Sequence, residues 1–119
     1  MMDCSFVAKS GKATFGVSQF WNGCASRVER GLEISVVGVV DVETEQGYAL
    51  SAEQTPAQSR LPGWNRMDHY LSHLKSVRPY LPAEVKYLVV DGVYAKVNFV
   101  SGAVDLKLQV ISKLCCDAI

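Results

Sequence analysis

The chain has 119 residues, of which 49% are hydrophobic and 20% charged, and its net charge is zero. That length suits one domain with a real core and hardly two. The balance excludes a nucleic-acid binder held by a general basic field, and no apolar run reaches the roughly 18–20 residues that span a bilayer. The N-terminal "MMDCSFVAKSGK" lacks the apolar core of a signal peptide, so the expected location is cytoplasmic, with no membrane partner.

The four cysteines, Cys4, Cys24, Cys115 and Cys116, form no C-x-x-C pair. Free thiols in a reducing compartment are the expectation. Charge is uneven: Gly31 to Glu53 holds five acids and no Lys or Arg, leaving twelve basic residues and seven acids elsewhere.

In chain order, a short N-terminal strand comes first. "GLEISVVGVVDVET" is rich in β-branched valine and reads as a strand. "QGYALSAEQT" reads as its partner across the polar "ETEQG", predicting an antiparallel hairpin over Leu32–Gln54. "QTPAQSRLPGWN" reads as a loop. Asn65 then caps a helix, with Asp68 in its first turn. Met67, Tyr70, Leu71, Leu74 and Val77 recur at helical spacing and predict its buried face. Pro79 ends it near Arg78. A strand over Val85–Asp91, a helix over about Ala95–Val104 and a strand over Lys107–Leu114 complete the order. Strands alternating with helices imply parallel crossovers, and the hairpin implies an antiparallel part, so a mixed sheet with packed helices is expected.

Asp91 ends an apolar run in "YLVVDGVYAK", and carboxylates are costly to bury. If the N-terminal strand pairs in parallel with Val85–Asp91, Asp3 and Asp91 face each other across neighbouring strands. Two such carboxylates repel unless a divalent cation neutralises them, and magnesium suits a site of one or two carboxylates plus water. From spacing alone, turn residue and metal ligand both stay open.

The chain resembles the catalytic domain of a bacterial DDE-type insertion-sequence transposase. The resemblance is carried by "DCSFVAKSGKATFGVSQFWNGC", "RGLEISVVGVVDVETEQGYALSAEQTP", "MDHYLSHLKSVRPYLP", "YLVVDGVYAKVNFV" and "LQVISKLCCDA". The Lys9-Ser10-Gly11 phrase, Gln54-Thr55-Pro56 and Asp91-Gly92-x-Tyr94 are its more specific pieces. It implies an RNase H-like α/β fold, an antiparallel meander followed by parallel strands with helices packed on the sheet. It implies that Asp3 and Asp91 are the first two catalytic aspartates and bind Mg2+ or Mn2+. The implied activity is metal-dependent cleavage and transfer of DNA strands. The implied partners are DNA at transposon ends and further copies of the chain.

Three departures mark residues 1–119 as a partial, incomplete domain, expected to be inactive alone. Cys4 stands where relatives commonly carry a further acid. Only Met1 and Met2 precede Asp3 in the first strand. The third acid, a glutamate on a late helix, has no counterpart, since Asp105 and Asp117 lie in the wrong context. The alternative is a non-catalytic α/β remnant that binds DNA or a related transposase.

Other residues have blander readings. His69 and His73, at i and i+4, read as a solvated helix surface. Phe20, Trp21 and Asn22 read as loop residues that either stack on DNA or cover a sheet edge. Lys9, Lys12, Arg27 and Arg30 read as solvated charges. Ser5 and Ser10 lack a nucleophile's partners. Tyr94 and Lys96 either pack or help to place DNA.

Overall fold

The computed structural model describes residues 1–8, 18–22, 27–57 and 65–113. Lys9, Ser10, Lys12, Cys24, Leu114, Cys115, Cys116 and Asp117 therefore lie outside the described residues, as does the body of the Gln54–Asn65 connection.

The organising element is a long strand. In chain order the strands are β1 (Met2–Ala8), β2 (Ser18–Asn22), β3 (Arg27–Asp41) and β4 (Gln46–Gln54). β3 pairs antiparallel with all three of the others: Met2–Ala8 against Val37–Gly31, Ser18–Asn22 against Gly31–Arg27, and Gln46–Gln54 against Asp41–Ile34. Its β-branched residues suit a pleated, half-buried surface. The hairpin reverses over 42–45, where Asp41 Oδ1 accepts from the Glu43 and Thr44 amides and Glu45 takes φ 59°. A register shift between Val37 and Gly38 interrupts the β3–β4 ladder. A Cβ at Gly38 would lie 2.9 Å from the Tyr48 carbonyl oxygen, so a side chain there would push the hairpin strands apart.

Helix α1 (Arg66–Val77) starts at Asn65 through a reciprocal capping box, Asp68 N to Asn65 Oδ1 at 3.0 Å and Asn65 N to Asp68 Oδ2 at 3.1 Å. Pro79 turns its end into a 3₁₀ turn, Arg78–Tyr80. Then follow β5 (Tyr87–Val89), a 3₁₀ turn (Gly92–Tyr94), α2 (Val97–Asp105) and β6 (Gln109–Ile111). β5 and β6 are parallel, and a parallel bridge between Met2 and Val90 joins them to β1. That single bridge sets the two-stranded parallel sheet beside the four-stranded antiparallel one, in the spatial order β4-β3-β1-β5-β6. β2 extends the sheet along the beginning of β3.

Both helices cover one face. Met2, Val37, Leu88 and Val90 from the sheet meet Tyr70, Leu74, Val77, Tyr94, Phe99 and Ala103 in a single core. The helices approach so closely that a Cβ at Gly102 would collide with the Leu71 side chain. Among the described residues, no helix is long and apolar enough to cross a membrane.

Two sequence expectations need correction. Phe20 is not in a loop: it lies in β2, fully buried, with the Arg66 guanidinium 4.4 Å above its ring. It presents no face to DNA. His69 and His73 are not solvated either: both are buried, His73 completely. The sheet beneath α1 presents polar groups, so the helix turns its histidines to them and leaves Met67 and Leu71 only partly buried. Pairing also trims the expected strands. Only Tyr87–Val89 and Gln109–Ile111 form the parallel ladder, because each strand meets its partner over three residues.

Candidate functional site

Asp3 lies in β1 between Met2 and Cys4, which face the helices, so the pleat turns its carboxylate to the uncovered side. Val90 is buried and Asp91 follows it, exposed, as the chain leaves the sheet. The parallel Met2–Val90 bridge makes Asp3 and Asp91 the next residues along two neighbouring strands. The sequence expectation that the N-terminal strand runs parallel beside the strand ending at Asp91 is met at that one bridge.

Each carboxylate also has a local task. Asp3 Oδ1 accepts from the Cys4 amide at 2.9 Å. Asp91 caps the 3₁₀ turn, its Oδ1 accepting from the Val93 amide at 3.4 Å. Its main-chain carbonyl accepts from the Tyr94 amide at 3.1 Å and the Ser112 hydroxyl at 3.2 Å. These bonds fix where the two residues sit and engage Oδ1 of each carboxylate. Asp91 therefore avoids burial: the strand stops one residue earlier, and the aspartate supplies the cap.

The donor set is two hard, exposed carboxylates. It fits one divalent cation that keeps most of its water, the mode in which magnesium is commonly held. Among the described residues, no group of three His, Cys, Asp or Glu side chains gathers around an ion. Asp105 ends α2, exposed, and makes no third member.

Behind this pair lies a polar cluster that the sequence reading missed. Glu33 is buried and accepts from the Thr55 hydroxyl at 2.8 Å and from the Tyr70 hydroxyl. The His73 ring bridges Ser35 through Nδ1 and Ser51 through Nε2, both at 2.9 Å. Burial pulls the pKa values of His69 and His73 below the usual histidine range. Cys4 sits beside Tyr70 and Tyr94; burial, then the Glu33 charge, pushes its thiol up to about 11. A thiol so protonated is a poor nucleophile.

The serine-histidine contacts do not make a hydrolytic centre. Both ring nitrogens are held by hydroxyls, and Ser35 is fully buried beyond reach of a substrate. The cluster joins hairpin to helix. One signal was available: Glu33, Ser35 and Val37 alternate along one face of β3, so a polar half of that face had to find partners on the element above it.

Tyr94 is fully buried against Tyr70 and Phe99, ring centroids 5.0 and 5.2 Å away, so it packs and does not touch DNA. Arg27 pairs with Glu29. Comparison with known proteins finds no matching family model, no matching curated protein and no matching solved structure.

Proposed function

We propose that this chain is a partial RNase H-like catalytic domain of a DDE-type transposase, whose parent chemistry is divalent-metal-dependent cleavage and transfer of DNA strands. The observation that carries the reading is the placement of Asp3 and Asp91. They follow directly on a parallel bridge between a central strand and its neighbour, within a five-strand order that runs antiparallel and then parallel. The motif resemblance points to these same two residues.

In this reading Asp3 and Asp91 hold Mg2+ or Mn2+. A bound ion of this kind would polarise a phosphodiester and help to form the attacking hydroxide. The chain's own part is positional. The Cys4 amide orients one carboxylate, and the 3₁₀ turn at Gly92–Tyr94 orients the other. DNA is the partner, further copies of the chain assemble on it, and the protein works in the cytoplasm.

Two carboxylates do not fix two ions. A displacement of about 1 Å costs on the order of 100-fold in rate, so the isolated chain is expected neither to nick nor to join DNA. The second reading, a non-catalytic domain that binds DNA or a related transposase, is favoured by the absence of a third acidic group among the described residues.

Two measurements test these readings. Titrating Mn2+ into 15N-labelled protein should broaden the Asp3 and Asp91 amides first, and Asp91→Asn should abolish that broadening. Broadening confined to the acidic turn Asp41–Glu45 would remove the metal site and the transposase reading with it. Incubation with supercoiled plasmid and Mn2+ should leave it intact. Nicking that Asp91→Ala abolishes would show a complete site instead.

A further inference from the structure

β4 lies at one edge of the order β4-β3-β1-β5-β6, and among the described residues it pairs with β3 alone. Sheet edges are commonly guarded by lysine, proline or inward-pointing charges, because their free main-chain groups template further pairing. β4 contains neither lysine nor proline, and Glu53 is its single charge. Gly47, Tyr48, Ala49, Leu50 and Ala52 are all exposed.

The hairpin register fixes which main-chain groups of β4 face outward. The Thr55 amide donates to Glu33 O at 2.9 Å, so alternation turns Glu53 and Ser51 toward β3 and Ala52 away from it. Past the register shift the phase changes. The Gly38 amide donates away from β4, to Met1 O at 2.8 Å, so Ala49, which stands opposite Gly38, also bonds away from β3. Leu50 is the extra residue: Val36, Val37 and Gly38 stand against Ala52, Ser51, Leu50 and Ala49, three residues against four. Ala49 and Ala52 thus both aim N–H and C=O at the free edge. Their small side chains lie on the open face, since Ser51 reaches His73 on the covered face and Val37, next to Gly38, is buried there.

A regular strand meets both alanines only as β3 does, three residues against four. A second β4 meets them four against four. With two copies antiparallel about a two-fold axis between Leu50 and Ser51, Ala49 of each faces Ala52 of the other, and outward groups meet outward groups. Setting Ala49 against its own copy instead would bring Ala52 to Gln46, which bonds back to β3. In the first register Glu53 falls opposite Tyr48 of the other copy, so the two acids do not meet. The net charge of zero sets no overall repulsion between copies. We propose that the β4 edge is a self-association surface, through which two copies of this chain join into one continuous antiparallel sheet. The proposed function leaves open where copies of the chain meet; this contact supplies the place and depends on neither metal nor DNA. It is a small contact, so a dissociation constant on the order of 0.1 mM is expected.

The test uses the whole chain, 15N-labelled, in hydrogen exchange and sedimentation equilibrium. The Ala49 and Ala52 amides should exchange about fivefold more slowly at about 1 mM protein than at about 20 µM. The Tyr48 and Glu53 amides, already bonded to β3, should show no such dependence. Ala49→Pro removes an N–H directed at the edge, where proline is tolerated, and should leave a monomer with an unchanged circular dichroism spectrum. If that variant unfolds, the exchange pattern of the native chain decides. A monomer at the higher concentration overturns the proposal and leaves the edge to a different partner. So does association that Ala49→Pro does not weaken, or that leaves Ala49 and Ala52 exchange unchanged. Mn2+ broadening of the Asp3 and Asp91 amides should be the same in Ala49→Pro, so the metal reading and this one fail separately.

Discussion

The two faces of the sheet invert the usual arrangement. The covered face, under α1 and α2, buries Glu33, Ser35, Thr55 and His73. The open face presents Tyr87, Val89 and Ile111 to solvent, each about half exposed. Burying a polar group is tolerable when it is fully hydrogen-bonded, and the covered face meets that condition at Glu33 and His73. The open face has no such constraint, and Asp3 and Asp91 each follow directly on the Met2–Val90 bridge, both exposed. Covered polar groups fix how hairpin and helix dock.

Substitutions on the two faces should therefore differ steeply. The largest loss is expected at Leu74, fully buried at the centre of the covered face: Leu74→Ala should cost about 2–5 kcal/mol in urea unfolding. Tyr70→Phe keeps the ring and removes the hydroxyl that donates to Glu33, and should cost about 1–3 kcal/mol. Equal stability of Tyr70→Phe and the parent would mean the polar cluster contributes nothing net.

The next effect is pH-dependent. The folded-state pKa values of His69 and His73 lie below their unfolded values, so the unfolded chain binds more protons in that interval. Stability from this source is complete above about pH 6.5 and is lost as pH falls below it toward the depressed values. His73→Gln should flatten that part of the curve while lowering stability throughout. The smallest effect is expected on the open face. Val89→Lys and Ile111→Lys should change stability by no more than about 0.5 kcal/mol and should reduce self-association in sedimentation. A loss comparable to Leu74→Ala would show that the open face is part of the core.

How much of this was legible in the sequence depended on what each pattern reports. The β3–β4 hairpin, the Asn65 cap, the helix end before Pro79 and the strand-helix alternation rest on local chemistry, and each is found in the structure. The mixed α/β character followed from them. The parallel run of β1 beside the strand leading to Asp91 was legible from the strand-helix alternation, whereas the stagger that sets the start of β1 against the end of β5 was not. The histidines were misread because the apolar stripe of α1 was taken to define its buried face. The true face, His69, Tyr70, His73, Leu74 and Val77, is rotated toward polar residues on a different element. Helical periodicity in one segment cannot report what lies across from it. β2 was missed because a five-residue strand flanked by Gly and Ser gives little period-two signal, and the length of β3 becomes visible only through its partners.

The length of β3 also sets the order of events as the chain is made. β1 and β2 leave the ribosome before β3, and both must wait for Arg27–Asp41 to pair with it. At about 5–20 residues per second, that leaves β1 waiting for seconds. The hairpin β3–β4 closes over a four-residue reversal and needs nothing upstream. It is therefore the natural template, and the N-terminal strands add to it in retrospect. Slowing synthesis after Gln54 should favour the native sheet, whereas a pause before Arg27 would leave β1 and β2 unpartnered for longer.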